Sequence, residues 1–277
     1  MITSIITTDT MTIRAPRRIE PPTSERFAGA GRRALYATLF WVLSVVLFWQ
    51  PLSHLAGLAW RDERFNHILV VPFLSALLVY VGRHRIFRAT RYSAGIAVPL
   101  LLLVGTLWYT LRAPASSLNP TTQLCLLAFF IVLTWIAGFI LCYGPASFKA
   151  GAFPLLFLLL MIPPPGSLLD FAVAALQKGS AATVALLFQL LGVPYTREGF
   201  PFSLPGATIE VAEQCSGIHS AIALFITSLL AGHFLLQSTS RRICLSLLTV
   251  PIAIFKNAVR IVIISCLGIY VNPLFSR

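Results

Sequence analysis

Seven stretches of the chain are apolar almost without interruption: 34–52, 66–82, 94–111, 122–143, 151–163, 216–236 and 243–270. A helix that crosses a bilayer needs about 20 largely apolar residues. The pattern therefore predicts an all-α integral membrane protein, a polytopic bundle of about seven spans. The fifth stretch is short and ends in "MIPPPG", whose three prolines cannot continue a helix. The last is long enough for one full span plus an emerging end. Residues 166–191 break the rule, because Asp170, Gln177, Lys178 and Gln189 recur at intervals that suit an amphipathic helix lying in the interface. That segment is predicted to rest on the outer surface. Residues 197–212, "REGFPFSLPGATIEVA", alternate instead: Phe200, Phe202 and Leu204, then Pro205-Gly206, then Ala207 to Val211. Period-two alternation around a Pro-Gly turn predicts a small β-hairpin, or else an irregular loop, outside the membrane.

Composition agrees with the pattern. The 277 residues are 57% hydrophobic and 11% charged, whereas soluble domains carry about 25% charged residues. The net charge of +12 would suit a nucleic-acid partner, but its placement does not. Arg14, Arg17, Arg18, Arg26, Arg32 and Arg33 lie in the N-terminal arm, Arg83, Arg85, Arg88 and Arg91 in one loop, and Arg241 and Arg242 in another. Basic loops at alternate crossings follow the positive-inside rule. The partner is the lipid bilayer, with no nucleic acid. Residues 1–33 are read as an unstructured basic cytoplasmic arm with no signal-peptide core, and 34–277 as the polytopic membrane domain, its functional core at about 192–277. The loops at 83–92, 144–150 and 237–242 then fall inside, and those at 53–65, 112–121 and 192–214 outside.

Chemistry concentrates at "IEVAEQCSGIHS". Four of the five cysteines (125, 142, 244 and 266) sit in apolar runs, where a thiol behaves as a small hydrophobe. Cys215 precedes Ser216-Gly217 at an expected helix start, where the helix dipole and free N–H groups stabilise a thiolate. His219 follows at i+4, a spacing that suits a Cys–His couple and equally suits simple packing. Glu210 and Glu213 stand just before. Metal binding is the weaker alternative, since one Cys and one His need two further ligands; no metal and no cofactor is expected. In the last span Lys256, Asn257 and Arg260 interrupt an apolar run, and ionisable residues inside a span are functional candidates. Arg260 lies about 25 Å along its helix from residue 243, at the depth where the preceding span begins. Lys256, one turn deeper, suits either a site or a snorkelling side chain.

"LGVPYTREGFPFSLPGATIEVAEQCSGIHS", followed some forty residues later by "KNAVRI", resembles the core of the exosortase/archaeosortase family, and "RFNHILVVPF" resembles a signature that places His67 at the entry to the second span. The resemblance implies a cysteine transpeptidase or protease of the bacterial inner membrane, in exopolysaccharide-producing Gram-negative bacteria, with about eight spans. Its substrates would be secreted proteins with a C-terminal sorting signal of the PEP-CTERM type. Cys215 would form a thioester on the periplasmic face, and Arg260 would stabilise the oxyanion or the thiolate. The family's third catalytic residue is a histidine in a segment beyond the arginine helix. This chain stops at Arg277 and has no histidine after His233, which lies about 27 Å along its helix from Cys215. His219 and His67 are then the candidates for the base, with Glu210, Glu213, Lys256 and Asn257 in supporting or substrate-binding roles. Two rivals stand beside the enzyme: a truncated, non-catalytic relative that binds sorting-signal helices or an export partner, and a transporter, for which no repeated half is visible. Oligomeric state is not legible in the sequence.

Overall fold

A computed structural model describes residues 24–88, 90–111, 119–197, 199–204, 207–210 and 217–270. The chain enters through α1 (Ser24–Leu47), which begins within the stretch read as the arm, and α2 (Trp49–Arg61). A 3-10 turn (Glu63–Phe65) leads to α3 (His67–Val81), the short α4 (Arg83–Ile86) and α5 (Ala94–Leu111). Then come α6 (Pro120–Ala150), α7 (Ala152–Phe157) with a 3-10 continuation (Leu158–Met161), and α8 (Gly166–Leu191). Three short strands, β1 (Thr196–Arg197), β2 (Pro201–Leu204) and β3 (Ala207–Glu210), precede α9 (Ile218–Leu235) and α10 (Thr239–Tyr270).

The all-α membrane architecture holds, and the span assignment changes in three places, the first being α5, whose Ala94–Thr110 stretch is a shorter apolar helix outside the qualifying set. Among the described residues five helices are long and apolar enough to cross a membrane, six if α1 and α2 count as one bent span. The stretch 151–163 forms only six α-helical and four 3-10 residues, a reach of about 17 Å, short of a roughly 30 Å core. Residues 166–191, expected on the surface, instead form a 26-residue helix that qualifies as a span. Their polar positions do not share one wet face: Gln177 and Ser180 are buried while Asp170, Lys178 and Gln189 are exposed. Ser180 accepts a hydrogen bond from Asn257 Nδ2 at 3.1 Å, and Gly179 leaves room for Ile254, whose Cδ1 would sit 2.8 Å from an added Cβ. These contacts advance in the same direction along α8 and α10, so the two helices run parallel. With 151–163 too short and 166–191 long enough, these two changes offset one another. The loop after α8 therefore keeps its expected end of the bundle.

Two cores divide the work. The larger gathers Leu55, Phe65, Val71, Ile131, Trp135, Leu155 and Met161 from α2, α3, α6, α7 and the two 3-10 segments. The smaller joins Val184 and Phe188 of α8 to Phe202, Leu204, Ala258, Ile261 and Val262, and so braces the ends of α8 and α10 with the sheet. The alternation read in the sequence is present here: Phe202 and Leu204 are buried and Ser203 is exposed between them. β2 and β3 pair antiparallel, with Phe202 opposite Ile209, as the hairpin predicted. β1 adds a third, unpredicted strand through Thr196 opposite Ser203. The connection at Pro205-Gly206 lies outside the described residues.

The basic loops meet at the opposite end. Arg33 donates to the Thr90 carbonyl at 3.0 Å and lies over the Tyr92 ring. Arg85 and Arg242 both lie within electrostatic reach of His233. One end of the bundle is therefore arginine-rich and the other carries the sheet.

Candidate active site

The site is built on the turn between α2 and α3. Asp62 is extended and caps the 3-10 turn, its Oδ1 accepting from the Arg64 N–H at 3.0 Å. It also clasps the Arg64 guanidinium: Nε donates to both carboxylate oxygens at 3.0 Å and Nη2 to Oδ2 at 2.7 Å. A fork-shaped pair of this kind fixes orientation as well as charge. Chiefly through those side-chain hydrogen bonds, Arg64 holds the Asp62 carboxyl below its ordinary pKa.

The turn aims the Glu63 carbonyl at α9. His219 Nδ1 lies 2.7 Å from Glu63 O. A carbonyl can only accept, so Nδ1 carries the proton, and in the neutral ring Nε2 keeps its lone pair. An imidazole oriented through Nδ1–H with a free Nε2 is arranged as a general base is. His67 stands two residues past the turn, its ring beside backbone groups of Arg64 and Leu160 and within electrostatic reach of His219.

Gly217 starts α9 in the left-handed region, with φ of 74°. A Cβ there would come 3.0 Å from Asn257 Cγ and 3.1 Å from its Oδ1. The start of α9 therefore sits directly against α10, and Asn257, almost fully buried, is anchored from behind by Ser180. One helical turn further along α10, Arg260 is exposed and reaches the same space.

Together these elements enclose a cavity of about 600 Å³ lined by Arg61, Asp62, Glu63, Arg64, Arg260 and the first turn of α9, Gly217 to Ser220. Among the described residues three guanidinium groups face two carboxylates, and Asp62 is already committed to Arg64. The balance is positive, and the positive end of the α9 dipole adds to it. Such a space favours an anion, a thiolate or a developing oxyanion alike.

The structure thus brings two predicted residues, His219 and Arg260, onto one cavity. Asn257 lies beneath it as a buried support. His67 is a neighbour that does not line it, and Lys256 is exposed and also absent from the lining. Glu210 forms the end of β3, its backbone opposite Pro201. Cys215 and Glu213 lie outside the described residues. The sequence reading passed over Arg61 to Arg64. Their signal was available: "RDER" is four consecutive charged residues in a chain that is 11% charged.

Fold and site define a multi-pass membrane protein with a cationic, histidine-bearing cavity between its helices at the sheet end. The profile of the transmembrane exosortase family (Exosortase_EpsH) matches residues 59–276. The chain belongs to that family, and membership supports a role of the sorting-transpeptidase kind. No curated protein and no solved structure matches the chain.

Proposed function

We propose that the protein is a membrane cysteine transpeptidase or peptidase that cuts C-terminal sorting signals from secreted proteins. The observation that carries the reading is the convergence of Arg260 and His219 on one cavity at the start of α9. Cys215 precedes Gly217 by two residues in the sequence, and two residues of chain span at most about 7 Å.

In this reading His219 Nε2 takes the thiol proton, and the Cys215 sulfur attacks the scissile carbonyl carbon. Arg260 and the α9 N-terminus meet the oxyanion. The C–N bond then breaks, the leaving amine takes the proton from His219, and a thioester remains on Cys215. An amine, or water, attacks the thioester; the sulfur leaves and is reprotonated. The sheet end faces the periplasm of the bacterial inner membrane, and the arginine-rich end faces the cytoplasm, following the positive-inside rule. Substrates would carry a PEP-CTERM-type tail in exopolysaccharide-producing bacteria. Glu210, Glu213, Lys256 and His67 remain candidates for positioning the tail.

The test is a membrane-reconstituted reaction with a reporter bearing such a tail, followed by mass. Shortening by the wild-type chain and none by Cys215→Ala is the expected result. Arg260→Ala should slow the reaction by about 10² to 10³, the usual effect of removing one oxyanion donor. Equal shortening by the Cys215→Ala protein would overturn the mechanism, and binding of the tail without any shortening would make the protein a non-catalytic receptor.

A further inference from the structure

Residues 53–61, expected in a loop, belong instead to α2. It is a 13-residue helix bent 73° from α1, and three different lines run along it. Pro51, Leu55 and Ala59 recur at every fourth position and are buried in the bundle. Gln50, His54 and Arg61 form a polar, exposed line. The third line is aromatic: Trp49 is 67% exposed and Trp60 86%. Eleven residues at about 100° each make three full turns and a small remainder, so both indoles project from the same face, one near each end of the helix.

Neither indole has a hydrogen-bond partner among the described residues. Trp135 makes the contrast: it is buried, and its Nε1 donates to Ser44 Oγ at 3.0 Å. An exposed indole wastes apolar surface in water and strands its N–H in hydrocarbon. Only the interfacial layer, with acyl chain beneath and carbonyl groups and water above, suits both parts of the ring. The polar line beside it, one-third of a turn round the helix, faces water in the same setting.

We infer that α2 lies in the plane of the membrane interface, seated in the lipid headgroup layer by Trp49 and Trp60. With α1 along the membrane normal, the 73° bend leaves α2 about 17° from the membrane plane. The two indoles are about 16 Å apart along the helix, and the tilt makes their depths differ by only about 5 Å. Arg61 ends α2 and lines the cavity, so the rim of the cavity sits at headgroup depth. The inference rests on α2 alone and stands whether or not the proposed chemistry is right.

The full-length chain labelled with 5-fluorotryptophan, in lipid nanodiscs, tests it by fluorine NMR. Trp49→Phe and Trp60→Phe, both conservative changes at exposed positions, assign the two signals. Lipids spin-labelled near the headgroup should broaden both signals together, and lipids labelled near the end of the acyl chain should spare both. Depths that differ by about 16 Å would mean that α2 continues the α1 span, and the inference fails. Broadening by a water-soluble relaxation agent without broadening by lipid labels would place the helix clear of the membrane. Protection from every probe would mean that a second protein surface covers it. Either of these last two results also overturns the proposal.

Discussion

Gly217→Ala tests the packing that sets the mouth of the cavity. Two separate penalties apply. Gly217 has φ of 74°, and placing an L-residue with a Cβ in that left-handed region costs about 1–2 kcal/mol. The new methyl would also lie 3.0 Å from Asn257 Cγ and 3.1 Å from Oδ1. Asn257 cannot easily retreat, because it is buried and hydrogen-bonded to a fully buried Ser180. Overpacking of this kind costs about 1–3 kcal/mol. The substitution should therefore lower stability by about 2–5 kcal/mol, measured by reversible SDS unfolding in mixed micelles. In an Asn257→Ala background the two closest contacts disappear and only the Cβ contact at 3.3 Å remains, so Gly217→Ala should cost little more than the backbone part, about 1–2 kcal/mol. A loss below about 1 kcal/mol in the wild-type background, or an equal loss in both backgrounds, would refute the reasoning.

Three further outcomes follow from the geometry. Gly138 of α6 packs under the Phe40 ring, and an added Cβ would overlap Phe40 Cε1; Gly138→Ala should cost about 1–3 kcal/mol in the same unfolding assay, and a silent substitution would mean that α1 and α6 are not this close. Asp62 has its folded pKa depressed by Arg64, so its contribution is complete above the unfolded value near 3.8 and is lost as pH falls through the lower folded value. Wild-type stability should accordingly decline more steeply than that of Asp62→Asn on acidification from about pH 6 to pH 3, and parallel curves would deny the pair any role. Nitrogen NMR of histidine-labelled protein, with His219→Gln for assignment, should find the neutral ring in the Nδ1–H tautomer; the Nε2–H tautomer would show that the bond to the Glu63 carbonyl is not made.

Much of the fold was legible along the chain because a bilayer judges each segment nearly by itself. Mean hydropathy over a window is enough to mark α3, α6, α9 and α10. Likewise the alternation of Phe202 and Leu204 marks a strand from its own period. One error is local and another falls where neighbours decide. Residues 34–52 read as one apolar run, yet the helix breaks at Phe48, just ahead of Pro51, whose ring would clash with the Leu47 carbonyl in a continuous helix. Residues 166–191 read as interfacial because their polar positions were assumed to need water, whereas Ser180 finds Asn257 across a helix contact.

The site divides along the same line. The sequence by itself determined that Arg260 and the start of α9 share a depth, since α9 and α10 are joined by a short turn and must lie antiparallel. It also determined which residue types could carry the chemistry. Only the tertiary structure decided that Arg61 to Arg64 wall the cavity, and that the carbonyl of Glu63 fixes the tautomer of a histidine 156 residues away. Insertion into lipid is governed by local composition, and the chain states it openly. A hydrogen bond between distant segments depends on how several helices pack at once, and no single stretch of sequence contains that information.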